Sequence, residues 1–384
     1  GASNVAIGRG ALSSTLDANQ VAIGYGSLES STTGEANTAV GYKALNVNTT
    51  GSYNTTLGFR TLHANTVGEY NVAIGYEALK ANVDGDSNVA IGWHALTTLE
   101  PASNAGINTA VGYGAGRLAT TGTGNTFMGY KAAYSGTDQV DNVMIGREAG
   151  MDANGSYNAI MGSQAALDAT DINRCIVIGR QAAGGATFSG DENVLIGYKA
   201  GYAATSGKWN TAVGTDAMGN MTSASGNTAI GYQAGIGLTT GTNNVFVGQT
   251  AGSGTTIGIH NIAIGYEALK ANVDGDANVA IGYQALATME PASDAGKNVA
   301  IGKQAGYHTS TGTGNIFIGD NAGPSSTNTD SNQLYIHNAY GTPLIGGDFS
   351  AGEVTINGAS SKTITLDPYW AVSGDNQYSR IHAN

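Results

Sequence analysis

Cysteine is almost absent from this 384-residue chain: Cys175 stands alone, so no intrachain disulfide can form. Any life outside the cell must rest on packing and association instead of cross-links. Proline is scarce, with 5 residues, and charged residues make up only 11%. Low charge would fit disorder only if apolar residues were few as well, and β-branched residues are abundant here. Positive charge is in deficit: the formal net charge is −12, which argues against non-specific binding to nucleic acid or to anionic membrane. No apolar run approaches the ~20 residues of a membrane-spanning helix. The chain opens at Gly1 without an initiator Met or a signal peptide, already inside its repeat. A fragment or processed product is therefore expected, its anchor lying elsewhere.

What is present is glycine, 59 residues of it, and a repeat. The stretch Asn71-Val72-Ala73-Ile74-Gly75-Tyr76-Glu77-Ala78-Leu79 returns in variants along most of the chain. Its glycine recurs 19 times from Gly8 to Gly319, a mean period near 17 residues. A short fixed period predicts a solenoid, in which each unit buries its apolar face against its neighbours. With the glycine as position 0, position −4 is Asn in 17 of 19 copies, the exceptions being Gln20 and Cys175. Position −3 is β-branched in all copies except Ala159, and position −1 is always Ile, Val, Leu or Met. Side chains alternate along a strand, so −3 and −1 share a face and −2 lies opposite. Position −2 is also apolar: Ala in 11 copies, elsewhere Thr, Phe, Met, Ile, Val or Leu.

A strand apolar on both faces is covered on both faces. One face fills the coil, and the other needs a partner, most economically an identical chain. The −2 column is read as that partner face, with Ala6 and Ala73 allowing close approach and Phe127, Met144, Leu195, Phe246 and Phe317 as plugs. The expected fold is thus all-β, a β-solenoid of about 19 short coils in a homotrimeric fibre. Each coil has room for two short strands and two turns. Glycine at 0 suits a tight corner or close backbone approach, and a second glycine seven residues earlier (Gly34, Gly51, Gly68, Gly85) marks the opposite turn. The asparagines at −4 are expected to form amide ladders. At ~4.8 Å per rung the rod is on the order of 90 Å long.

Residues 1–323 form the repeat shaft, 324–332 a polar linker and 333–384 a small, irregular β cap or tip. Strands are predicted at Gln333–His337, Glu353–Asn357 and Thr363–Leu366, separated by turn signals such as Tyr340-Gly341-Thr342-Pro343 and Gly346-Gly347-Asp348. Segments 71–103 and 261–293 are nearly identical and lie 190 residues apart, a duplication of 11 repeats. Each carries a three-residue insertion, at Leu99-Glu100-Pro101-Ala102-Ser103 and Met289-Glu290-Pro291-Ala292-Ser293, expected to bulge as a loop.

The Asn71-Val72-Ala73-Ile74-Gly75 core resembles the head repeat of trimeric autotransporter adhesins, which form left-handed parallel β-rolls in a trimer. The repeat here is longer, so that likeness covers the strand and not the turns. The whole layout is more similar to bacteriophage tail-fibre-like proteins. These join such repeats to a segment resembling Leu334-Tyr335-Ile336-His337, Thr342-Pro343-Leu344-Ile345, Gly347-Asp348-Phe349 and Thr355-Ile356-Asn357-Gly358. In that family a self-cleaving intramolecular chaperone usually follows and is removed after trimerisation. No charged helical tail of that kind is present, so a cleaved or truncated chain is expected.

The resemblance implies an extracellular structural fibre and adhesin of a virion tail. It would bind a host-surface receptor, a glycan by analogy, through three copies on one rod. A bacterial surface adhesin of the same architecture is the alternative, and a polysaccharide-degrading tailspike a third reading. The resemblance transfers no catalytic residue.

Chemistry leaves few marks. Six histidines are scattered without metal-ligand spacing. Gly201 to Gly207-Lys208 has the wrong spacing for a phosphate loop, and Trp209 stands where Ser or Thr should follow. Asp84-Gly85-Asp86 and Asp274-Gly275-Asp276 read as turns and lack the remaining ligands of a calcium loop. Cys175 reads as buried filler in an asparagine slot. Neither an enzyme nor a cofactor is expected. Position +1 is rich in aromatics, including Tyr25, Tyr42, Phe59, Tyr76, Trp93, Tyr113 and Tyr130. These read either as a structural ladder or, at Tyr76 and Trp93, as a flat sugar-binding surface. Tyr340, Tyr369, Trp370 and Tyr378 form a second candidate near the C-terminal end.

Overall fold

The computed structural model describes residues 3–14, 18–100, 106–290, 296–338 and 343–356. It is an all-β solenoid. Nineteen three-residue strands, β1 (Val5–Ile7) through β19 (Ile316–Ile318), each end just before a repeat glycine. Each pairs in parallel and in register with the next, as Val5 with Val21, Phe246 with Ala263 and Ala300 with Phe317. Among the described residues the second strand expected in each coil is reduced to isolated bridges such as Asp86 to Gly106 and Ser225 to Thr242.

The rest of each coil is turn, and its backbone is unusual. In the Gly75 coil Glu77 and Leu79 lie at φ 53° and 52°, and Tyr70, just before the strand, at 59°. Left-handed backbone in L-residues costs on the order of 1 kcal/mol each. Inter-coil hydrogen bonds offset this: Glu77 N donates to Phe59 O and Leu79 N to Ala95 O, both at 2.9 Å. Glycine at 0 has a stricter cause. At Gly231 φ is +138° and a Cβ would stand 2.6 Å from the carbonyl oxygen of Gly248. Only a residue without Cβ lets successive coils approach there. The glycine at −7 meets the same demand and a second one, since a Cβ on Gly51 would stand 2.4 Å from the Gly68 carbonyl oxygen and 2.5 Å from the Asn48 Oδ1.

Burial overturns one expectation. Ala73, Phe127, Met144, Leu195, Phe246 and Phe317 are wholly or almost wholly buried inside a single chain. They face the coil's own core and have no surface left for a partner. Ala6 is exposed together with the rest of β1. The reason is volume: position −2 shares the narrow interior with the alanine at +3 and the residue at +4, so small residues were needed within the coil itself. Positions −3 and −1 point outward, as the half-exposed Val245 and Val247 do around buried Phe246. The apolar strip of this chain is therefore the −3/−1 face.

The asparagine column forms the expected ladder, buried from Gln20 onward. Asn227 Oδ1 accepts from Asn244 N at 2.9 Å and from its Nδ2 at 3.0 Å, while Asn227 Nδ2 donates to Gly241 O at 2.9 Å. Each amide thus joins three segments of backbone. A shorter second ladder, not foreseen, runs through Asn48, Asn65 and Asn82; Asn65 Nδ2 donates to Asn48 Oδ1 at 2.7 Å and Asn82 Nδ2 to Asn65 Oδ1 at 3.1 Å.

Residues 324–332 do not behave as a free linker. Asn328 bridges Thr309, Ser310 N donates to Asn328 O at 2.9 Å, and Thr313 N to Ser331 Oγ at 3.0 Å. They lead into β20 (Gln333–Ile336), which continues the parallel stack by pairing Leu334 with Ile316. Two antiparallel strands follow, β21 (Ile345–Asp348) and β22 (Glu353–Ile356). Gly346-Gly347-Asp348, expected as a turn, is thus strand. The strand predicted at Thr363–Leu366 lies outside the described residues.

Candidate recognition surface

Two outward columns flank the strand face: +1 just after the glycine and −5 just before the asparagine. At +1 the aromatic rings stack along the axis. Tyr25, Tyr42, Phe59 and Tyr76 follow one another at centroid separations of 5.4, 5.1 and 5.1 Å, with interplanar angles of 11° or less. Trp93 continues the row, 6.4 Å from Tyr76 and 4.3 Å from Tyr113. Tyr130 closes it at 5.3 Å from Tyr113, and Tyr266 and Tyr283 repeat the motif at 5.2 Å.

This geometry decides what the column can do. Stacking uses ring faces, so a ring between two others shows solvent only its edge. Tyr76 and Trp93 are 44% and 36% exposed, yet their faces are taken by their neighbours. His94 lies on Trp93 as well, at 3.6 Å between centroids, and the Arg117 guanidinium sits 5.7 Å from the Trp93 centroid. The pair is poorly disposed as a flat sugar platform. Cations also sit near the row's ends, with Arg9 5.9 Å from the Tyr25 ring and Lys131 5.5 Å from Tyr130.

Beneath this row Glu77 pairs with two cations, Lys80 at 2.9 Å and Arg60 at 3.7 Å, and His94 Nε2 stands 3.7 Å away. Burial and the nearby Arg117 hold His94 below the usual imidazole range, against the pull of Glu77. In the duplicated coil Glu267 instead accepts from Lys270 at 2.6 Å and Gln284 at 2.7 Å. A surface cavity of about 400 Å³ opens beside it, lined by Glu267, Lys270, Gln284, Thr288 and Tyr307 among others.

The acidic turns serve the backbone. Asp86 Oδ1 accepts from Glu69 N, and Asp276 Oδ1 from Ile259 N, both at 2.7 Å. Among the described residues no group of three or more His, Cys, Asp or Glu side chains is placed to hold a metal ion. Cys175 is buried, its Sγ 3.2 Å from Gly190 O, and burial pushes its thiol up to about 11. Tyr340, Tyr369, Trp370 and Tyr378 lie outside the described residues.

The −5 column was not singled out from sequence, because it has no common residue type: Tyr157, Arg174, Glu192, Trp209 and Gly226 follow one another. What its members share is a left-handed backbone and outward direction. Comparison with models of known families, with curated proteins and with solved structures finds no match. The class that stands is a repetitive β-solenoid.

Proposed function

We propose that this chain is the shaft, with the start of a tip, of a homotrimeric extracellular fibre of the phage-tail type. It would hold a host receptor, a surface glycan, by multivalent attachment, and it works as a structural binding protein without catalysis. The observation that carries this reading is the outward −3/−1 strip. Ile230, Ile264, Ile301 and Ile318 are 42, 37, 41 and 38% exposed although each coil already fills its own core. Monomeric proteins rarely leave contiguous apolar patches beyond a few hundred Å². A strip on the order of 90 Å long at ~4.8 Å per rung calls for an equally long, equally periodic cover. A second and third copy in register supply it under closed symmetry. Rigid presentation of three copies then raises the effective concentration of every binding site.

Light scattering of the purified chain tests this: a mass of three 38.7 kDa chains is expected. Ile264→Lys with Ile301→Lys should lower that mass while the β signal in circular dichroism persists. A well-folded single chain as the unsubstituted species would overturn the reading. The bacterial-adhesin alternative draws on the likeness of Asn71-Val72-Ala73-Ile74-Gly75 to autotransporter heads and predicts the same mass.

A further inference from the structure

We propose that Tyr157, Arg174, Glu192 and Trp209, on four successive coils, form a platform for a neutral oligosaccharide, with Trp209 as its stacking surface. The proposal rests on the receptor reading above and gives it a location on the shaft.

These four residues are left-handed, at φ 64°, 55°, 57° and 59°. Such backbone suits glycine or asparagine, and Asn19, Gly124, Gly226, Asn243 and Gly314 stand in the same column, beside varied residues such as Ala36, Ile107 and Lys297. A large aromatic there is disfavoured locally and gains little by burial, since Trp209 is 62% and Tyr157 59% exposed. Burial therefore does not select Trp209 and Tyr157 at these positions.

The exposed indole is also held in place. Trp209 Nε1 donates to Glu192 Oε2 at 2.9 Å. Arg174 fixes that carboxylate from the other side, donating to Glu192 Oε1 from Nε at 3.1 Å and Nη2 at 2.7 Å. Lys208 Nζ and Asp191 Oδ2 pair alongside at 2.8 Å. A side chain ordered before binding loses less entropy on binding.

The coil after Trp209 leaves its column open. Tyr53 and Tyr70 in this column cover each other at 5.0 Å and 4°. Beyond Trp209 the next coil carries Gly226, which has no side chain to lay on the indole.

The ligand class follows from the chemistry. An apolar ring edged by an anchored carboxylate and guanidinium matches a molecule with a C–H face and a rim of hydroxyls, as a pyranose has. Two acids, Asp191 and Glu192, face two bases, Arg174 and Lys208, so the patch is locally neutral. With a chain charge of −12, polyanionic glycans are disfavoured and neutral ones favoured. Four rungs span ~14 Å at ~4.8 Å each, room for several sugar rings.

The test uses the full chain with Trp93→Phe and Trp370→Phe, leaving Trp209 as its sole indole. Hexasaccharides of glucose, mannose, galactose and N-acetylglucosamine are titrated by fluorescence, and by calorimetry for Trp209→Gly. Glycine fits the backbone there, so that variant should fold. At least one sugar should shift Trp209 emission saturably, and Trp209→Gly should bind it at least tenfold more weakly. No saturable shift with any sugar, or undiminished binding by Trp209→Gly, overturns the platform. So does a fall in mass on Trp209→Gly, which would make the patch a subunit contact. Adsorption to a panel of bacterial cells separates the two readings. Adsorption that survives Trp209→Gly sinks the platform alone, whereas an unsubstituted chain that adsorbs to none sinks the receptor reading.

Discussion

Phe246 lies directly against Gly252 of its own coil, where any Cβ would enter the ring, and against Gly235 of the preceding coil, where a Cβ would stand 2.7 Å from its Cδ2. Positions −2 and +4 share one volume, within a coil and between neighbouring coils, as Gly235 does with Phe246 of the coil that follows. Phe127 meets Gly116 and Phe317 meets Gly306, while coils with alanine at −2, such as Ala73 and Ala263, carry Leu79 and Leu269 at +4, all fully buried.

Phe246→Ala should therefore cost about 3–5 kcal/mol, the usual range for emptying a buried aromatic site. Adding Gly252→Leu rebuilds the arrangement of Ala263 with Leu269 and should recover much of the loss, though the space over Gly235 stays empty. Gly252→Leu alone should destabilise by overpacking. Calorimetric melting of the three variants and the parent forms a double-mutant cycle. Additive losses would show that the two positions do not share one space.

Gly231→Ala puts a methyl group 2.6 Å from the Gly248 carbonyl oxygen at a φ of +138°. Backbone must move, and a loss of about 1–3 kcal/mol is expected. The melting transition should split or broaden, because each coil depends on its neighbours. An unchanged melt would mean the coils tolerate wider spacing.

Asn227→Ala would strand the Asn244 N–H and the Gly241 carbonyl, which Asn227 now serves at 2.9 Å each. A buried unpaired group costs about 1–3 kcal/mol. The reverse change is available at Cys175, which occupies an asparagine slot. Cys175→Asn should gain roughly 1 kcal/mol by restoring the amide between Asn158 and Asn193, read as a raised melting temperature.

Cys175 also reports folding through its acidity. Burial raises its thiol from 9.0 to about 11, so the folded state disfavours the thiolate. The sign follows from linkage: the unfolded chain releases this proton first, so the associated stability is intact below pH 9.0 and is lost as pH rises toward about 11. A disulfide reagent at pH 8 should react with Cys175 only at the rate of unfolding, and faster as denaturant rises. Rapid labelling of the native chain would contradict the burial.

Much was readable without coordinates because a solenoid repeats its constraints. The glycine column, the three-residue strand and the asparagine ladder appear in nearly every copy, and each is enforced by the adjacent coil. The inward face was harder, since −1 is apolar, −2 is apolar except at Thr56, −3 is apolar or Thr, and alternation says only that −2 opposes the other two. The volume exchange between −2 and +4, visible in Phe246 with Gly252 and Ala263 with Leu269, was the available signal. At the −5 corner no shared residue type existed to be seen. Trp209, Glu192 and Arg174 belong together only because successive coils stack in register and turn the same backbone angle outward.

The period, the strand and the residues that must lack a side chain are written in the chain, because they follow from local geometry and from identical neighbours. Tertiary structure alone decided which apolar face lies inside, which aromatic faces are spent on one another, and which indole is left open. Those outcomes depend on the width of the coil and on what the next rung places opposite each side chain.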